Sequence, residues 1–188
     1  VVDVFENHLF LSGHEGTRAA IAHSAPKDAY LWTSAGGAGQ IAAGFDVVQI
    51  KPFRDNLFVF GTKDIKKVTV NADADFVIEN VTTNIGCVAR DSVLEIGGDL
   101  MFLSPDGFRP VAGTSRVGDV ELETLSKPIQ STLVDIIKNE DMDALSGVVI
   151  RSKSQVRYFI TSTIGSDLVP TAESIGIIGG LTDTSGSI

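Results

Sequence analysis

The residue types that most often do chemistry are thinly spread along this chain. Its three histidines, His8, His14 and His23, sit six and nine residues apart in turn-rich sequence. A zinc site needs tighter pairs, such as i and i+4, with a third ligand to complete the set. These histidines therefore read as solvated turn residues. Asn71, Asp73 and Asp75 alternate as oxygen ligands of a calcium loop would, but the loop glycine and the distal bidentate glutamate are missing at the required offsets. That stretch reads as a polar connector after a strand. Cys87 is the single cysteine, so the chain has no internal disulfide framework and no cysteine-rich zinc site. It reads as a small buried apolar residue. No G-x-S-x-G elbow occurs for a serine nucleophile. The run Ser174-Ile175-Gly176-Ile177-Ile178-Gly179-Gly180-Leu181 lacks the G-x-G-x-x-G spacing of a phosphate loop and reads as a Gly-rich strand or connector. With 24 acidic residues, some carboxylate pair is always available, so a pair by itself says nothing about glycoside cleavage. No catalytic, cofactor-binding or metal-ligating residue is assigned, no cofactor is expected, and the chain reads as a non-enzyme.

The bulk properties agree with that reading. The net charge is −9 and the pI about 4.7, which is not the basic footprint of a nucleic-acid binder. Lys63, Lys66 and Lys67 form a small basic cluster, whose default reading is a solvated strand face. An acidic wall repels a polyanion and lets it slide past without gripping it. The longest uncharged run, Ala29 to Phe45, is too short and too polar for a membrane helix, so no membrane partner is expected. The chain begins at Val1 with no signal-peptide pattern, and it is expected to be a piece of a longer polypeptide.

Positioning falls to a recurring strand pair. Asn7 to Ser12, Asp55 to Phe60, Gly98 to Leu103 and Ser154 to Ile160 each open on polar turn formers and continue as a short apolar run. Each follows another short apolar strand, at Val1–Phe5, Val47–Ile50, Ser92–Ile96 and Val148–Ile150. The unit is a hairpin, repeated four times at intervals of 48, 43 and 56 residues counted from Leu9, Leu57, Leu100 and Val156, against a β-propeller blade length of roughly 40–50, the last interval being stretched by an insertion. Third strands are legible at Ile65–Val70 and at Phe108–Val111, the latter after the turn-forming pair Asp106-Gly107. One helix is predicted over 126–139. Ser126 caps it, Pro128 stands in its first turn, and Ile129, Leu133, Ile136 and Ile137 form one apolar stripe. The expected fold is all-β, a β-propeller-like repeat of antiparallel hairpins or blades over residues 1–160, with the helix as an insertion. Residues 161–188 are expected to form a Gly-rich tail or the start of a further segment.

Several stretches resemble the β-propeller hub and nozzle proteins of short-tailed bacteriophages. They are Val4 to Gly13 followed by Ser24 to Trp32, then Asp55 to Gly61, Gly86 to Val93, Phe102 to Gly107 and Leu125 to Ile129. The resemblance covers roughly residues 1 to 160 and rests on the order of these motifs, none of which is diagnostic alone. It implies a structural virion protein of the phage tail, forming a ring, commonly a hexamer, beneath the portal and adaptor. Its implied partners are copies of itself, other tail, adaptor or fibre proteins, and genome DNA passing through the channel without specific binding. It carries over no catalytic or cofactor residue. The alternative readings are a ligand- or protein-binding propeller module, and after that a propeller hydrolase.

Overall fold

The computed structural model describes residues 1–111, 125–162 and 173–180. The chain divides into two compact units, Val1–Cys87 and Val88–Ile188.

The first unit holds two four-stranded antiparallel sheets. The first sheet is a meander of β1 (Val2–Phe5), β2 (His8–Ser12), β3 (Ala20–His23) and β4 (Gly39–Ala42). The second is a meander of β5 (Val47–Phe53), β6 (Asn56–Gly61), β7 (Ile65–Val70) and β8 (Phe76–Thr82). Turn chemistry sets the hairpins. Glu6 and Asn7 both take positive φ, at 46° and 63°, as a tight two-residue turn between right-twisted strands requires. Pro52 lies inside β5, which tolerates it because β5 is an edge strand with an unused N–H side. The inner face of the first sheet packs on the second around Phe5, Phe10, Ile21, Ile50, Leu57 and Val59. Gly86 closes this unit. A Cβ there would lie 2.3 Å from the backbone of Thr62, so only glycine allows that approach.

The second unit holds two three-stranded antiparallel sheets. The third sheet contains β9 (Leu94–Ile96), β10 (Asp99–Ser104) and β11 (Gly107–Pro110), and the fourth contains β12 (Ser146–Ile150), β13 (Gln155–Ser162) and β14 (Glu173–Gly180). Gly97 and Gly98, both at positive φ, form the β9–β10 turn; Pro105-Asp106 turns β10 into β11, one residue earlier than the expected Asp106-Gly107, because Gly107 already pairs with Ser104. The core is Met101, Leu103, Phe108, Leu133, Val156, Tyr158 and Ile160 with their neighbours. Phe108 and Tyr158 stack at 4.5 Å, and the Tyr158 hydroxyl donates to the Ser92 carbonyl at 2.9 Å.

Two expectations are corrected. The hairpins form, but they do not build a propeller: the four sheets are discrete, with four, four, three and three strands, and none is closed or strongly curled. The repeat interval reports the length of a three- or four-stranded meander, and any antiparallel meander of that size gives it. Closure about a central axis is a tertiary property that spacing does not encode. The helix α1 spans Gln130–Asn139, preceded by a short 3-10 turn at Lys127–Ile129. Ser126 caps neither, because its hydroxyl accepts the Phe108 N–H at 3.0 Å instead. The stripe is also divided: Leu133 is 1% exposed and sits in the core, Ile136 and Ile137 pack against its edge, and Ile129 is 42% exposed. Glu173–Gly180 of the Gly-rich end is a strand along the length of β13, one of the two forms its sequence allowed. The end beyond it, 181–188, lies outside the described residues.

Candidate functional site: an apolar sheet face

Strand alternation and register together assign every residue of the first sheet to a face. Val2 pairs with Leu11, Leu11 with Ala22 and Ala22 with Gln40, while Val4 pairs with Leu9 and Ala20 with Ala42. The outward face therefore carries Val2, Val4, Leu9, Leu11, Ala20, Ala22, Gln40 and Ala42. Seven of these are apolar and none is charged. Val2 is 58% exposed and Val4 59%. An antiparallel sheet that needs cover on one side alone normally presents polar residues on the other. Trp32 leans towards this face, lining a groove of about 620 Å³ with Leu11, His14, Thr17, Ala22 and Gln40. Its indole N–H donates to the Ala29 carbonyl at 2.9 Å, and neighbouring Tyr30 stands almost wholly in solvent.

The corresponding face of the fourth sheet is mixed, with Ser146, Gln155 and Arg157 among its apolar residues. Val148 pairs with Arg157, and Arg157 with Ile178, while Ser146, Phe159 and Gly176 form the adjoining row. Val148, Phe159 and Ile178 are exposed large hydrophobics. Arg157 stands among them. Its Nη2 reaches Gln155 Oε1 at 3.4 Å, but its buried Nε has no hydrogen-bond partner among the described residues.

The polar groups singled out in the sequence are bound up in local structure. His8 and His23, fifteen residues apart in sequence, come together with ring centroids 5.1 Å apart. Sequence spacing missed this pairing because it arises from the β2–β3 register. Both Nδ1 atoms face the Ser24 carbonyl, at 2.6 Å and 3.2 Å, and Phe76 lies edge-on to both rings. Burial among these rings lowers the pKa of His23; the Ser24 carbonyl opposes the shift and the charge of His8 adds to it. A Cβ on Gly39 would lie 2.8 Å from His23 Nε2, so the pair leaves little room for a ligand there. His14 is elsewhere, on the Trp32 groove.

Asn71 Oδ1 accepts the N–H groups of Asp73 and Asp75 at 3.0 Å and 2.8 Å, which makes this stretch the turn between β7 and β8. Among the described residues no cluster of three or more His, Cys, Asp or Glu is placed to hold a metal. Cys87 is buried. The basic cluster splits: Lys66 donates to the Ala43 carbonyl at 2.6 Å, Lys67 pairs with Glu79 at 3.0 Å, and Lys63 is exposed. A compact polar cluster lies at the β10–β11 turn, where buried Arg109 binds Asp106 and Ser104. Burial alone would raise the Asp106 pKa, but the hydrogen bonds from Arg109 and Ser104 and the guanidinium charge outweigh it and hold the carboxyl low.

Serines in the motifs that carried the phage-tail resemblance are backbone staples. Ser24 Oγ accepts the Leu9 N–H, Ser92 Oγ the Leu103 N–H and Ser126 Oγ the Phe108 N–H, each at 3.0 Å. Such residues serve any sheet protein that must satisfy a buried strand end. No known protein family matches the sequence, and no curated protein matches it either. With four separate, unclosed sheets, the resemblance to propeller hub and nozzle proteins of bacteriophage tails is not upheld, and the virion and nozzle descriptions fall with it. No helix among the described residues is long and apolar enough to cross a membrane.

Proposed function

We propose that this chain is a structural component that works by associating with copies of itself through an apolar sheet face. The observation that carries this reading is the outward face of the first sheet, with seven apolar residues, one amide and no charge. Exposed contiguous apolar surface of this kind marks interaction sites. The net charge of −9, and the engagement of Lys66 and Lys67 by Ala43 and Glu79, make nucleic acid an unfavourable partner. A second reading, a saccharide-binding module, is favoured by one feature: Trp32 borders an open groove with His14, Thr17 and Gln40, an aromatic shelf beside hydrogen-bonding groups. Sedimentation equilibrium of the 188-residue chain separates the two. Self-association gives an average mass that climbs above 19.9 kDa as concentration rises. A constant 19.9 kDa, together with saturable binding of an oligosaccharide that quenches Trp32, would replace the first reading by the second.

A further inference from the structure

We propose that His8 and His23 form an acid-sensitive latch inside the first unit, which holds Phe76 at the head of β8 against the first sheet while both imidazoles are neutral and releases it when His23 is charged. The latch lies on the inner face of that sheet, so it stands or falls independently of association through the outward one.

Register builds it. His8 opens β2 opposite Phe5, and His23 closes β3 opposite Phe10, so all four side chains share the inner face. Phe76, the first residue of β8, meets them all. Its ring lies 5.0 Å from His8, 4.8 Å from His23, 5.2 Å from Phe10 and 6.4 Å from Phe5. Two of the four rings that clasp it can therefore acquire a charge. Phe76 also sits where its release disturbs little else: it is half-buried and pairs with Val70 at the end of the β7–β8 hairpin, beside the exposed turn.

The neutral state is satisfied. The Ser24 carbonyl faces both Nδ1 atoms, at 2.6 Å and 3.2 Å, and its two lone pairs let each ring donate Nδ1–H to it and keep Nε2 as a bare acceptor. Acid adds its proton at Nε2, which then needs an acceptor. On His23 that atom lies over Gly39 of β4, where a Cβ would come within 2.8 Å, and the ring packs on His8, Phe10 and Phe76. The elements around the pair carry Glu6 before β2, Asp3 on β1, ion-paired with Lys51 of β5 at 3.3 Å, Lys27 and Asp28 after Ser24, Asp75 before Phe76, and Glu79 on β8, ion-paired with Lys67 at 3.0 Å. The charge that acts on His23 is that of His8, which repels it at a ring separation of 5.1 Å. His23 is half-buried, so its charged ring reaches water by leaving the cluster, and Phe76 then loses its nearest aromatic neighbour.

Burial lowers the pKa of His23, so the closed latch is the less protonated state. The closed-to-open ratio is full above about pH 6.5, the value of a released imidazole, and falls by up to about tenfold per pH unit until the lower pKa of the closed state is reached.

Nuclear magnetic resonance of the whole chain tests this, with ring nitrogen shifts reporting the charge on His23 and nuclear Overhauser contacts reporting the packing. On titration down from pH 7, the contact between Phe76 and Phe10 is expected to vanish as His23 gains its charge. The contact between Phe5 and Phe10, whose rings lie 6.2 Å apart within the first sheet, is expected to persist. His23→Gln is expected to keep both contacts throughout. His8→Gln removes the repelling charge, so His23 should gain its proton, and Phe76 should be released, at a higher pH. The parent and His8→Gln decide the matter even where His23→Gln does not fold. Phe76 staying on Phe10 after His23 is charged overturns the latch, as does release of Phe76 in folded His23→Gln at the parent's pH. Loss of both contacts together is acid unfolding of the unit, and it too overturns the latch. A release midpoint that does not move in folded His8→Gln shows the pairing of the two histidines to be wrong.

Discussion

Leu133 tests whether α1 belongs to the core of the second unit or merely lies on it. The side chain is 1% exposed and is grouped with Met101, Leu103, Phe108, Val156 and Tyr158. Leu133→Ala removes the equivalent of three carbon groups at about 0.8 kcal/mol each, or about 2.4 kcal/mol of transfer free energy. The cavity left behind adds about 24 cal/mol per Å³ that fails to collapse. A ten-residue helix at the edge of a unit can settle inward, so the total should lie near 3 kcal/mol, low in the range of about 2.7–5 kcal/mol for buried leucines. Alanine is slightly the better helix former, which returns a few tenths of a kcal/mol. Ile129→Ala is the control: at 42% exposure it should cost about 1 kcal/mol or less. Urea denaturation followed by far-ultraviolet circular dichroism measures both, with the m-value checked for constancy between variants. A Leu133→Ala cost indistinguishable from that of Ile129→Ala would refute the packing argument, and α1 would then be a surface appendage.

Two further outcomes follow from the polar contacts. The pKa of His23 is lowered in the folded chain by burial, so the unfolded state binds more protons as pH falls below about 6.5, and stability declines on acidification. The melting temperature of the parent should therefore drop more steeply between pH 7 and pH 5 than that of His23→Gln; parallel slopes would show that the pair does not couple to folding. Ser92→Ala leaves the buried Leu103 N–H without the hydroxyl that accepts it at 3.0 Å. Equilibrium denaturation should show a loss of about 1–3 kcal/mol, and a loss under 0.5 kcal/mol would mean that another acceptor takes over.

Local features were legible in the sequence because local physics decides them. The apolar runs Leu57–Phe60 and Leu100–Leu103 are buried strands, and Glu6-Asn7 and Gly97-Gly98 are turns, because short-range sterics and β-propensity fix both. The expected end of the helix at Asn139 matches the observed one, where Glu140, Asp141 and Asp143 follow and negative charge is unfavourable at a helix C-terminus. Strands β3 and β4 left little trace, since Ala20–His23 and Gly39–Ala42 are built largely from small residues that carry no strong pattern of their own; β3 is a strand because β2 offers a partner, and β4 because β3 does. The same holds for the meeting of His8 with His23 and for the diversion of Ser126 from its helix to Phe108. Each depends on which strand lies beside which. The arrangement of the sheets was least legible of all. A period of 40 to 50 residues specifies a meander and is silent on whether successive meanders close about an axis or stay apart. The outward face of the first sheet became visible only once register had sorted Val2, Val4, Leu9 and Leu11 from Phe5, Phe10 and Ile21, for in sequence both sets are simply apolar residues of adjacent strands. Composition fixed how much apolar surface this chain carries; tertiary pairing decided which of it was left facing water.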